Sequence, residues 1–432
     1  VAGTALPVAL AIDWAGDELP PATVEMAKQA LIEKGILPGF DEDYNWWVTS
    51  HHNWNQVCQA GMIAAAIVTA ETNPELAVRT ISRALDNMGL ALEAYGPDGV
   101  YPEGATYWGF GTLHTVMTIS MFESAFGTDF GISGFPGFVE SADFVPLVTA
   151  PSGEFFNFYD CGSNLTDDAR GKGDAWTAVF NRSAIAVNLM WFAQHTGNAF
   201  YFDKSYFTDS GKDRRKQYFD AAALVWLSMF EEEKDEQPPA IWKGEGINPL
   251  AVFRGRNGNP EMYYLGAKGG KASNNHGNMD AGSFVFELDG VRWSIDLGNQ
   301  NYNTLEQAGF DLWNSTQNSE RWSLLTKGSH GHSSLTVNHE RHQAEGFAPI
   351  VHFNRGAIGD NPEVTFGMTD VFSGLLQEAE RTFIKDSPRS VIVKDNFVLE
   401  DAASMFTWQL MTTADVELVK GGAVLKQEGK SI

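Results

Sequence analysis

The spacing of apolar residues changes once along this chain, and that change constrains the fold more than any other feature. From Pro21 to about Phe230 apolar residues recur at steps of three and four, which stack on one face of a helix. After the stretch FEEEKDEQPPAIWKGEG, Phe230 to Gly246, they alternate, which puts every second side chain on one face of a strand. The stretch itself combines a charge run, a proline pair and glycines, the composition of a linker. The expectation is a multidomain α and β protein: a helical domain over residues 1–235 and an antiparallel β-sandwich over residues 245–432.

Within the first part, AVRTISRALDNMGLALEAY sets Val78, Ile81, Leu85, Met88 and Leu92 on one stripe of a helix over 77–95. Similar patterns run over 54–71, 111–127, 175–197 and 213–230, several closed by Gly or Asn. Helices in succession predict antiparallel pairs, stacked or closed into a toroid. In the second part SFVFELDGVRWSIDL, HSSLTVNH, RTFIKDSPRSVIVKDNFVLE and ADVELVKGGAVLK predict strands joined at DG, DSP and GG turns. The sequence stops in strand-like residues at Lys430-Ser431-Ile432, so a fragment of a longer protein is expected.

Composition narrows the partners. The 55 acidic against 30 basic residues give a net charge of −25, which argues against nucleic acid, because phosphate binding needs a basic face. An anionic sugar polymer would need a local cleft of polar or basic groups. No run of about 18 apolar residues appears, so no membrane span is expected. The opening VAGTALPVALAIDW lacks the basic start of a signal peptide. Cys58 and Cys161 exclude a disulfide framework and leave one bridge open.

Three clusters carry chemistry. In WWVTSHHNWNQVC, His52 and Asn53 lie at the mouth of a helix, where free backbone donors and side chains face an anion; helix capping is the plain alternative. In DGVYPEGATYWGFG, expected as a loop between helices, Tyr107 offers a phenol that donates and accepts a proton, and Trp108 a face that stacks on sugar rings. In SNNHGNMDAGSFVFELDGVRWSIDLG and GSHGHSSLTVN, His276 sits in a turn ahead of two strands, while Asp296 and His332 occupy strand positions and could share a metal.

Taken together, HGNMDAGSFVFELDGVRWSIDLG, ERWSLLTKGSHGHSSLTV, HNWNQVC and YPEGATYW resemble the heparinase II/III family of polysaccharide lyases, in order and from about Asp41 onward. The resemblance implies an incomplete (α/α) toroid followed by an antiparallel β-sandwich, and β-elimination on uronate-containing polymers such as heparan sulfate or alginate. It implies Tyr107 as acid and base, His276 assisting proton abstraction, and Asn53 beside His52 neutralising the uronate carboxylate. Glu103, Trp108, Tyr302 and Arg321 fall at cleft positions for substrate. Asp296 and His332 match two ligands of a structural zinc whose third ligand position is Asn278 here, and Asn binds zinc poorly. A sulfated polymer would ask for basic cleft residues, with Lys268, Lys271, Arg254 and Arg256 to choose from. The resemblance also implies a periplasmic or secreted location and leaves a homodimer open.

Two rival readings use the same residues. A glycoside hydrolase on a helical toroid would employ a carboxylate pair such as Glu103 and Asp168. A non-catalytic glycan-binding protein would use Tyr107 and Trp108 as a stacking platform only.

Overall fold

A computed structural model describes residues 2–162, 175–202, 219–255, 262–356 and 360–432, with the backbone alone for 175–183. The chain divides into two compact units: Val1–Gly99, Tyr107–Ala142 and Ser183–Glu236 form the first, and Val100–Thr106, Asp143–Arg182 and Gln237–Ile432 the second. No helix is long and apolar enough to cross a membrane among the described residues.

The first unit is helical. Its main elements are α1 (Ala2–Ala15), α2 (Pro21–Ala30), α3 (Asn53–Thr69), α4 (Pro74–Leu92), α5 (Gly104–Phe126), whose first three residues belong to the other unit, α7 (Ala175–Thr196), whose residues up to 182 also do, and α8 (Asp220–Met229), with the short α6 (Phe144–Val148) in the second unit. The expected stripe on α4 is displaced. Val78 is 66% exposed, and the buried face carries Ala77, Thr80, Ala84, Met88, Ala91 and Leu92, so only Met88 and Leu92 of the expected stripe are fully buried. Small residues at steps of three and four let α4 lie close to its neighbour, and Ala77 joins a core with Cys58, Met62 and Ala66 of α3. Of the 213–230 pattern, the described residues form α8 over Asp220–Met229, and residues 203–218 lie outside the described set.

The second unit is antiparallel throughout its named strands. A five-stranded sheet runs in the order β1 (Ile241–Gly244), β2 (Leu250–Arg254), β3 (Tyr264–Lys268), β4 (Phe284–Leu288) and β5 (Val291–Ser294). A four-stranded sheet runs β10 (Ser390–Leu399), β9 (Leu376–Ser387), β8 (Glu363–Gly367) and β7 (Ile350–Asn354). Their inward side chains, among them Phe253, Leu265, Phe284, Trp293, Val364, Phe366 and Phe383, form one core. Smaller sheets pair β6 (Leu335–Val337) with β11 (Phe406–Trp408) and order β12 (Asp415–Val419), β13 (Gly422–Gln427) and β14 (Lys430–Ser431). The DG turn forms as read: Leu288 faces Val291, and Asp289 and Gly290 take φ of 54° and 78°, both positive as a tight hairpin requires. Cys58 and Cys161 are buried free thiols, so the open bridge does not form.

Candidate active site

The turn Asn274–Gly277 holds His276 in an uncommon conformation. Gly277 N–H donates to Asn274 O at 2.8 Å, and His276 takes φ of 57°. A non-glycine residue in the left-handed region costs on the order of 1–2 kcal/mol and persists where its surroundings over-determine it. Here they do. The imidazole stacks on Tyr302 at 6.0 Å between centroids and 16° between planes, and meets the edge of Trp313 at 5.6 Å. Arg321 clamps the next peptide, donating from Nε and Nη2 to Gly277 O at 3.2 and 2.7 Å and from Nη1 to Leu312 O at 2.8 Å. Position 277 must be glycine, since a Cβ there would lie 2.2 Å from Ala272 O.

Around the ring lies a buried charge cluster. Asp160, with no exposed side-chain surface, accepts from the Tyr302 hydroxyl at 2.6 Å and pairs with the Lys327 ammonium, itself buried. His276 Nδ1 is 3.2 Å from Asp160 Oδ2 and 3.1 Å from the Tyr302 oxygen, and Arg321 Nη2 is 3.5 Å from Asp160 Oδ2. His276 Nε2 faces Glu103 Oε2 at 3.8 Å. Burial pushes the His276 imidazole down to about 4, with the Glu103 carboxylate pulling the other way, so the ring is neutral at pH 7. Burial likewise pulls the Lys327 ammonium down to about 7, an effect its carboxylate partner opposes.

The sequence candidates fall in both units. His276, Glu103, Tyr302, Arg321, Asp296 and His332 belong to the second, and the structure brings the first four together. His52, Asn53 and Tyr107 belong to the first. Asn53 is the buried first residue of α3, His52 is its N-cap, and Tyr107 lies half-buried in the first turn of α5. The expected loop at Asp98–Gly111 is therefore helical from Gly104, because its glycines at 109 and 111 sit inside α5. Trp108 is corrected: it is fully buried, donates to Ser141 Oγ at 3.0 Å and stacks on Phe192, so its face packs the helical core and is not offered to a sugar. Asp168 and Arg256 lie outside the described residues. Lys268 is buried against Asp280 at 2.6 Å, Arg254 donates to the carbonyls of Pro146 and Thr149, and Lys271 pairs with Glu345 at 2.9 Å. Asp160, Lys327 and Trp313 escaped the sequence reading. The signal for Asp160 was a lone acid inside the aromatic run FFNFYDC.

A second cluster adjoins the sheet. One ligand atom from each of Asp280, Asp296 and His332 lies within 4.8 Å of the others, all buried. His332 Nδ1 is 3.0 Å from Asp296 Oδ2, while His332 Nε2 and Asp280 Oδ2 are buried without a hydrogen-bond partner among the described residues. Orphaned acceptors converging in this way, from one imidazole and two carboxylates, suit a divalent cation. Asp280 would stand as the third ligand in place of Asn278.

Residues 253–432 match the family model described as heparinase II/III-like, C-terminal. This part of the chain belongs to that family. The fold is that of a helical toroid followed by an antiparallel sandwich, as in heparinase III. A crystal structure of heparinase III matches at a TM-score of 0.60 and 12% identity, over 91% of this chain and 55% of that one. Another heparinase III structure matches at 0.53 and 11%, over 93% and 53%. The chain thus spans about half the length of these solved proteins. No curated protein matches the sequence.

Proposed function

We propose that the chain is a polysaccharide lyase that cleaves uronate-containing glycans of the glycosaminoglycan type by β-elimination, outside the cytoplasm where such polymers are met. The observation that carries this reading is His276: a strained, neutral, buried imidazole held by Asp160 and Tyr302, in the heparinase II/III-like part of the chain.

Elimination removes the C5 proton next to a carboxylate that is already negative. Donors against that carboxylate, supplied by Asn53 and His52, offset the second charge. At an effective dielectric near 20 one ion pair at about 4 Å is worth roughly 4 kcal/mol, or about three orders of magnitude in rate if it develops wholly in the transition state. The C5–H electron pair becomes the C4=C5 double bond, the C4–O4 bond breaks, and O4 takes the proton of the Tyr107 phenol. That holds where C5–H and O4 lie on opposite faces, His276 Nε2 accepting the C5 proton; where they share a face Tyr107 starts as the phenolate, takes the C5 proton and passes it to O4. Loss of a proton from the imidazolium to solvent and gain of one by the phenolate restore the enzyme.

Asp280, Asp296 and His332 would hold a zinc ion whose contribution would be structural.

Incubation with a panel of uronate polymers tests the reading, because elimination yields a conjugated unsaturated uronate that absorbs in the ultraviolet and hydrolysis does not. Tyr107→Phe should abolish that product and leave polymer binding within a few-fold. Turnover that survives the change overturns the assignment.

A further inference from the structure

We infer that Asp160 is a positioning residue that holds His276 as its Nδ1–H tautomer, leaving the Nε2 lone pair as the proton acceptor. The inference deepens the lyase reading and rests on it for the kinetic arm of its test.

The argument is a count of protons. Tyr302 has one hydroxyl proton and gives it to Asp160 Oδ2 at 2.6 Å, so towards His276 its oxygen can only accept. Asp160 Oδ2, the other atom facing Nδ1, is a carboxylate oxygen and accepts as well. Two acceptors at 3.1 and 3.2 Å from one ring nitrogen require that nitrogen to carry the hydrogen. A neutral imidazole has one N–H, so Nε2 carries the lone pair. Its other oxygen pairs with Lys327 and the Arg321 guanidinium lies 3.5 Å from Oδ2, so the carboxylate is set among cationic partners. It is then placed to stabilise the imidazolium that forms when Nε2 takes a proton, as buried acids do beside catalytic histidines.

Lys327 also fixes what a substitution would do. In Asp160→Asn the amide oxygen must face the Lys327 ammonium, which only donates, so the amide NH2 turns to Tyr302 and His276. Facing a donor, Nδ1 becomes the acceptor and the proton moves to Nε2, where it blocks the base.

The test uses the full chain with nitrogen-15 labelled histidine, His276 being assigned from the signals missing in His276→Gln. Near pH 7 the wild type should show a protonated Nδ1 and a pyridine-type Nε2, and Asp160→Asn the reverse. On a polymer that the wild type cleaves, Asp160→Asn should lower kcat by about 100-fold or more with KM within a few-fold. A wild-type His276 protonated at Nε2 overturns the inference, and that measurement stands even if Asp160→Asn does not fold. So does an Asp160→Asn protein that keeps the Nδ1–H signal, whatever its activity. If no polymer is cleaved by the wild type, the lyase reading fails while the tautomer measurement still decides the role of Asp160.

Discussion

Arg292→Met is the most informative test of what holds the second unit together. Glu287 on β4 and Arg292 on β5 face each other across the hairpin, and the Glu287 side chain has no exposed surface. Its Oε1 accepts from Arg292 Nε and from Ser152 Oγ, each at 2.7 Å, and Oε2 accepts from Ser152 N–H at 3.3 Å. Arg292 also donates to Phe155 O and, at 3.0 Å, to Glu154 O. Removing the guanidinium leaves a buried carboxylate without its cation and withdraws a donor from two carbonyls. Breaking a buried pair in this way costs about 3–5 kcal/mol, and because Ser152 keeps its bonds to the carboxylate we expect the lower half of that range. Glu287→Leu with Arg292→Met removes both charges and should cost about 1–2 kcal/mol, mainly the unpaired Ser152 and carbonyl groups, so the double variant should be the more stable one. Urea-dependent hydrogen exchange at the amides of β4 and β5 isolates this unit from the helical one. A single variant within about 1 kcal/mol of wild type, or a double variant less stable than the single, refutes the reasoning.

Two further outcomes follow from the buried titratable groups. His114 is fully buried, its Nδ1 2.8 Å from Phe110 O, and desolvation pushes it down to about 4 from 6.5. The unfolded chain binds a proton that the folded helix refuses between those values, so stability is intact above about 6.5 and falls by up to roughly 3 kcal/mol as pH drops toward 4; His114→Gln should flatten that fall in circular-dichroism unfolding curves, and a midpoint unchanged between neutral and acid pH would contradict it. If zinc binds at Asp280, Asp296 and His332, elemental analysis should find about one equivalent in the purified chain and none in His332→Asn, and a chelator should lower the wild-type melting temperature only; a metal-free wild type indifferent to the chelator would remove the ion from the account.

Periodicity carried the fold because it records which face each element buries. β4, β5, β6, β9, β10, β12 and β13 with the DG hairpin were legible for that reason, whereas β1, β2, β3, β7, β8 and β11 carried no pattern that was read. On α4 it held for Met88 and Leu92 and failed at Val78, which points to solvent while Ala77, Ala84 and Ala91 admit a close neighbour. It failed around Tyr107 because glycines at 109 and 111 look like a loop when read without the helix that contains them. Of the site, His276 stood out through its odd turn, and its partners Glu103, Tyr302 and Arg321 through resemblance. Asp160 and Lys327 could not be paired from sequence, since 167 residues separate them and only the folded chain makes them neighbours. Asp280 was overlooked because Asn278 occupied the ligand position under consideration.

The interior placement of cations bears on which polymers suit this unit. Lys268, Lys327, Arg292, Arg321 and Arg381 all lie below the surface and hold acids or backbone carbonyls of the unit itself. Their charges are engaged inside the fold, so these five are not available to sulfate groups at the surface. Any attraction of a sulfated polymer to this unit would have to come from its other, surface cations, and would weaken as salt screens them.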